Sequence, residues 1–62
     1  MTRFIRRPAV EERTGLARST IYEMMQDGRF PRAVRIGGRA VAWPEAEINA
    51  WIEDRVAERE EA

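Results

Sequence analysis

Apolar residues recur at helical spacing in two stretches of the chain. The first series stands at positions i, i+3, i+4 and i+7: Ile21, Met24, Met25 and Gly28. The second series continues the same spacing to i+8 near the end of the chain, with one arginine among its apolar residues: Ile48, Trp51, Ile52, Arg55 and Val56. Residues at this spacing share one side of a helix, so each stretch is predicted to be a helix that packs one face on a core.

The first of these helices is predicted to begin at Arg18 and to end at Asp27-Gly28, after which Pro31 prevents it from resuming. Its other side carries polar groups that can donate or accept hydrogen bonds: Arg18, Ser19, Tyr22, Glu23 and Gln26. The major groove of DNA admits a helix that is held by one face and displays such groups on the other. We therefore interpret residues 18–26 as a recognition helix.

A shorter helix is predicted just before it. Pro8 suits the first turn of a helix, where its missing N–H is no loss, and residues 9–13 follow with Val10 turned inward. Gly15 accepts the left-handed conformation that ends a helix. Two short helices joined by a glycine-containing turn of three or four residues form a helix-turn-helix motif.

Between the two longer helices, apolar residues alternate with others on either side of Gly37-Gly38. Such a glycine pair supplies the positive φ of a tight turn, so a β-hairpin is predicted. Four of its side chains are expected to face the helices: Val34, Ile36, Val41 and Trp43. Phe4 and Ile5 are expected to form a brief strand or to pack under the first helix, and Pro44 is expected to begin the last helix.

The length allows one small domain, residues 1–62. A chain of 62 residues buries only about 60% of its unfolded surface. It has no cysteine for disulfides or thiolate metal sites, no secretory signal and no apolar run near the ~20 residues that span a bilayer. We therefore expect a cytoplasmic protein without membrane contact, whose charged last residues fray.

Catalysis is not expected. The chain has no histidine and no cysteine, which removes the usual general bases, thiol nucleophiles and commonest metal ligands. Ser19 has only Glu23 as a candidate base, one helical turn away, and the carboxylates of the last helix adjoin no evident cleft. The prediction is therefore a protein that is not an enzyme and has no metal and no cofactor.

The net charge is zero, but the two parts of the chain have opposite signs. Residues 1–39 contain nine arginines and four acidic residues, whereas residues 40–62 contain two arginines and seven acidic residues. This asymmetry is typical of a protein in which one surface binds a polyanion and the opposite surface is solvated. The planar guanidinium of arginine also suits phosphate and the O6/N7 edge of guanine.

Within the recognition helix, Arg18 is the strongest candidate for a base-edge or phosphate contact. Ser19 and Thr20 have hydroxyls that suit phosphate oxygens, although local backbone bonding explains such residues near a helix start equally well. Tyr22 lies between the two faces, so its ring is expected to pack inward with its hydroxyl outward. Gln26 extends the polar face.

Glu23 is the most informative of these residues. Its neighbours one turn away, Ser19 and Asp27, provide no ion pair. A carboxylate near DNA phosphates is unfavourable unless it acts there, for example by accepting a hydrogen bond from cytosine N4. The alternative is that Glu23 points away from DNA and only solvates the helix.

Arginines outside the recognition helix are further candidates. Arg35 and Arg39 have little packing role on an exposed hairpin, so DNA contact is expected. Arg7 is a candidate phosphate ligand that is also spaced to pair with Glu11. For three others, phosphate contact and solvated surface both stay open: Arg6, Arg29 and Arg32. Three aromatic residues are expected in the core rather than stacked on bases: Phe30, Trp43 and Trp51.

With these residues in place, the sequence resembles the small AlpA-type phage and prophage regulators, relatives of the excisionases and of the DNA-binding part of MerR-type proteins. The resemblance covers roughly Phe4 to Arg55 and lies in GL-x-RSTIY, GRFPR, GGRAV-x-W and the final amphipathic helix. It implies a mainly α fold with a small β-hairpin, the winged helix-turn-helix. By position, the recognition-helix segment corresponds to Arg18, Ser19, Thr20 and Tyr22, and the wing to Gly37, Gly38 and Arg39.

The resemblance further implies a regulator of transcription that binds double-stranded DNA, with the recognition helix in the major groove and wing 34–43 on the adjacent minor groove or backbone. Ala17 departs from the family's usual serine, and Glu23 stands where a basic residue is more frequent. One alternative is an excisionase-like architectural protein that bends attachment-site DNA. Another is an interaction module whose acidic last helix docks RNA polymerase, a recombinase or a second copy. Binding as a monomer or as a weak, cooperative oligomer is expected.

Overall fold

In the computed structural model, residues 2–61 are described, and they form three helices and three short strands. The helices are α1 (Arg7–Thr14), α2 (Arg18–Gln26) and α3 (Glu45–Glu61), and the strands are β1 (Phe4–Ile5), β2 (Val34–Gly37) and β3 (Ala40–Pro44). The strands form an antiparallel sheet in the order β1-β3-β2. This mainly α arrangement is a winged helix-turn-helix fold, in which β2, β3 and the turn between them form the wing.

The turn between α1 and α2 follows from the glycine and threonine at the end of α1. Gly15 adopts the left-handed conformation with φ of 75°, and its N–H donates to the Glu11 carbonyl at 2.8 Å. The Thr14 hydroxyl accepts a hydrogen bond from the Leu16 N–H at 3.3 Å. Ala17 is extended and α2 begins at the next residue. The predicted helix-turn-helix is confirmed, with α2 spanning residues 18–26.

The core lies where the helices meet the sheet. Its buried members come from both helices of the motif, the loop after α2, two strands and α3: Ile5, Val10, Ile21, Phe30, Trp43 and Ile48. Phe30 meets the rings of Trp43 and Trp51 edge-on, at centroid distances of 6.3 and 4.9 Å. Edge-to-face packing of this kind adds stability beyond area burial. The prediction that Phe30 and Trp43 are core residues is confirmed.

The prediction that four hairpin side chains face the helices is wrong for β2. Val34 and Ile36 are 39% and 43% exposed. Val34 lies opposite Ala42 in the ladder, and successive residues of a strand point to opposite faces, so Val34 lies on the face away from Trp43. The register shifts between Arg35 and Gly37, so Ile36 falls in a bulge of an edge strand.

The start of α3 also differs from the prediction. Pro44 ends β3 opposite Phe4, and the helix begins at Glu45, whose N–H donates to the Arg3 carbonyl at 2.6 Å. Proline has no N–H for a ladder hydrogen bond, and at the last position of β3 this loss falls at the end of the strand rather than in its interior. Pro44 therefore belongs to the strand rather than to the helix.

The far end of α3 extends beyond the core. Ile48 is fully buried, whereas Val56, two turns later, is 45% exposed. The helix continues to Glu61, and Ala62 lies outside the described residues. Within residues 2–61, no helix combines the length and the apolar character needed to cross a bilayer.

Candidate nucleic-acid interface

The two faces of α2 are separated as the pattern predicted. Ile21 is fully buried, and Met24 and Met25 pack against the core. The opposite face is exposed and carries the side chains predicted to contact DNA: Arg18, Ser19, Glu23 and Gln26. Two further candidates are half-buried at its edges: Thr20 and Tyr22. The polar face of α2 is therefore open to a partner.

The first turn of α2 has two features that bear on contact with an anion. The guanidinium carbon of Arg18 lies 5.8 Å from the centroid of the Tyr22 ring, a cation–π distance that orients both side chains. Ala17 occupies the N-cap and forms no side-chain capping bond. The first-turn backbone N–H groups of α2 are therefore left to solvent or to a partner.

Side chains from α1, α2 and the wing meet around one hollow of about 280 Å³, which we call the arginine hollow. Its lining residues are Arg6, Arg7, Pro8, Tyr22, Arg39 and Val41. Three of the predicted site residues, Arg7, Tyr22 and Arg39, are therefore neighbours in space although they are distant along the chain. The Arg7 Nε donates to Glu11 at 2.9 Å, so the predicted ion pair within α1 is confirmed.

The tip of the wing is a two-residue turn formed by Gly38 and Arg39. Gly38 has a positive φ of 49°, and no atom lies within 4 Å of the position that a Cβ would occupy there. Arg39 is exposed. Arg35, also exposed, pairs with Val41 in the ladder. Because paired residues share a face of a sheet, Arg35 lies on the same face of the wing as Val41, which lines the arginine hollow.

Two arginines of the basic half serve other surfaces. Arg13 donates to Glu45 at 3.0 Å and also to Asn49, so it joins α1 to α3. Arg29 pairs with Asp27 at 2.9 Å and lines a separate hollow of about 570 Å³ between α2 and α3. The positive charge of residues 1–39 is therefore divided between surfaces, since some guanidiniums have carboxylate partners within the fold.

Comparison with known proteins bears directly on this arrangement. The sequence model of a family described as Prophage CP4-57 regulatory protein (AlpA) matches residues 3–56. This match takes in α1, α2, the wing and α3 as far as Val56. The chain belongs to the AlpA family.

Two relatives show the range of this similarity. The DNA-binding transcriptional activator AlpA of Escherichia coli (strain K12) is 41% identical over an alignment of 59 residues that covers 86% of this chain and 84% of that protein. Uncharacterized protein ORF88 of Enterobacteria phage P4 is 49% identical over 57 residues, which are 92% of this chain and 65% of that protein. The chain thus spans just under two thirds of the phage protein.

In this AlpA-family chain, the structure also shows where Arg6 lies, a residue for which the sequence leaves two roles open. The sequence is compatible with either a phosphate contact or a solvated surface position for Arg6. In the structure, Arg6 lines the arginine hollow beside Arg7. The signal in the sequence is the Arg6-Arg7 pair directly before Pro8, which starts α1. Glu23 forms no ion pair within the described part of the chain, and among the side chains of residues 2–59 no cluster of carboxylates could hold a metal ion.

Proposed function

We propose that this AlpA-family protein is a sequence-specific DNA-binding regulator of transcription. The observation that carries the proposal is the meeting of Tyr22 from α2 with Arg39 from the wing tip around one hollow. Recognition helix 18–26 and wing 34–43 therefore form a continuous surface, which suits a helix in the major groove and a wing on the adjacent minor groove or backbone. Similarity to a relative named as a DNA-binding transcriptional activator supports the same conclusion.

The exposed residues of α2 are suited to reading base edges. Arginine binds guanine O6/N7 through two hydrogen bonds, glutamine pairs with adenine N6/N7, and a carboxylate accepts from cytosine N4. Arg18, Gln26 and Glu23 are the residues that would make these three contacts. Ser19 and Thr20, in the first turn, are placed to donate to phosphate oxygens.

The other predicted site residues would position the duplex by contacting its backbone. Arg7, Tyr22, Arg35 and Arg39 present donors toward the sugar–phosphate backbone, and Gly38 lets the backbone of the wing approach closely because it has no side chain. Contacts of this kind release counterions. The slope of log affinity against log salt concentration therefore becomes more negative by about 0.9 for each phosphate neutralised. Binding rather than catalysis is therefore the proposed activity.

The proposal is tested by selecting sites from a random duplex library and measuring affinity by fluorescence anisotropy at about 50 and 200 mM salt. We expect the selected duplex to bind at least about a thousandfold more tightly than a scrambled duplex. Arg18→Ala should lose much of this difference, whereas Arg59→Ala, the same charge change on α3, should keep it. Equal affinity for both duplexes would contradict the proposal.

A protein partner for α3 is a second part of the proposal. Val56 is 45% exposed on a helix that extends past the core, and the same part of the helix carries exposed carboxylates: Glu53, Asp54 and Glu58. This surface suits RNA polymerase or a recombinase. Val56→Ser should leave DNA affinity unchanged and alter a promoter reporter if the partner is polymerase, or excision of an attachment-site substrate if the partner is a recombinase. Unchanged output in both assays would contradict this part.

A further inference from the structure

We propose that the arginine hollow is a binding site for one backbone phosphate of the duplex, held by Arg6, Arg7, Tyr22 and Arg39. The site rests on the proposed DNA-binding function and adds to it a defined ligand, a phosphodiester, and a further contact residue, Arg6. It also gives the wing and α1 a shared role, since each supplies part of the same site.

The first argument is the balance of charge around the hollow. Arg6, Arg7 and Arg39 line one concave surface, so three positively charged residues border it, and like charges near one another repel. Within residues 2–61, the ion pair of Arg7 with Glu11 is the one that involves these guanidiniums. The hollow therefore keeps an excess of positive charge in a chain whose net charge is zero. A bound anion would relieve this repulsion, and a concave surface concentrates the field that attracts it.

The second argument is the kind of donor that lines the hollow. A guanidinium offers five N–H groups in a planar fork that matches phosphate. Arg7 is bound to Glu11 through Nε, which fixes its orientation and leaves both terminal nitrogens for another acceptor. Tyr22, whose hydroxyl is a neutral donor, also lines the hollow, and the other two lining residues, Pro8 and Val41, bring no carboxylate to it.

The third argument is position. Tyr22 belongs to the helix proposed for the major groove, and Arg39 belongs to the wing tip proposed for the neighbouring groove. Adjacent grooves of a duplex are separated by one sugar–phosphate strand. That strand must pass between α2 and the wing, and the arginine hollow lies between them. The ligand is therefore a phosphate within a duplex rather than a free nucleotide.

The inference is tested with Arg6→Gln in the full chain. The Arg6 side chain is exposed, so the variant should keep the wild-type circular dichroism spectrum and melting temperature. We expect it to weaken binding to selected and scrambled duplexes by the same factor, about tenfold at low salt, and to reduce the salt slope by about one. Arg59→Gln changes the net charge equally on α3 and should leave both quantities near wild type.

A scan with single methylphosphonate linkages locates the phosphate, because each linkage removes one backbone charge. Among the linkages at which the wild type loses affinity, Arg6→Gln should lose clearly less than the wild type at one linkage, beside the major-groove site, and as much as the wild type at the others. Additive losses at every linkage, with normal wild-type binding, would overturn the inference and leave the proposed function standing. A wild type that binds no duplex would overturn both.

Discussion

The indole N–H of Trp43 donates a hydrogen bond to the carbonyl oxygen of Pro31 at 2.8 Å. Trp43 has no exposed surface and lies in the central strand, whereas Pro31 lies in the loop between α2 and β2. The bond therefore holds the wing against the segment that follows α2. It sets the spacing between the two elements proposed to enter adjacent grooves.

Trp43→Phe should lower the free energy of unfolding by about 2 kcal/mol or more. The substitution leaves the Pro31 carbonyl without its indole donor and opens a cavity in the core. Trp51→Phe removes an equivalent bond, from the indole N–H to the Arg29 carbonyl at 2.8 Å, at a half-exposed site. Water can replace that donor, so the loss should be below about 1 kcal/mol. Urea denaturation followed by circular dichroism measures both, and equal losses would contradict the role given to Trp43.

Ala17→Ser should raise the free energy of unfolding by about 0.5–2 kcal/mol. Ala17 occupies the N-cap of α2 with φ of −76° and ψ of 159°, and no side chain caps the helix there. A serine hydroxyl at this position can accept a hydrogen bond from a first-turn N–H. Ala17→Val, which adds bulk without an acceptor, is the control and should give no gain in a thermal melt. An unchanged melting temperature for the serine variant would show that the N-cap is elsewhere.

Gly15→Ala should destabilise the fold by about 1–2 kcal/mol because an alanine pays the steric cost of the left-handed conformation. Gly15 has φ of 75° and nothing within 4 Å of an added Cβ, so the cost comes from the backbone alone. Gly37→Ala is the matched control, since Gly37 also has open space around it but no positive φ. Chemical denaturation should show a loss for the first variant and little change for the second.

Glu23→Ala should relax base preference at one position of the selected site. The Glu23 carboxylate is exposed on the polar face of α2, where accepting from cytosine N4 would offset its repulsion by phosphates. Affinity measured over all single-base variants of the site gives the test. Glu12→Ala, which removes an exposed carboxylate from α1, should leave the pattern of preference unchanged. A uniform change of affinity across the variants would assign Glu23 to solvation only.

Local features of the chain were sufficient to predict much of the fold. Gly15 requires a left-handed turn, and the apolar spacing from Ile21 to Met25 sets the buried face of α2. These are properties of neighbouring residues, so they can be read without knowing what lies across the molecule. The hairpin could be placed in the same way, but the exposure of Val34 could not, because it depends on which residue of β3 lies opposite.

The candidate site likewise combines features that the sequence predicts with features that depend on the tertiary structure. The amino-acid sequence by itself determined helix α2, its polar face and the excess of arginine before Ala40, since helical periodicity and composition are local. Only the tertiary structure decided which arginines lie together: Arg13 contacts α3, whereas Arg6, Arg7 and Arg39 line one hollow with Tyr22. The reason is that strand register and the packing of helices on the sheet bring distant segments together, and no local pattern specifies those distances.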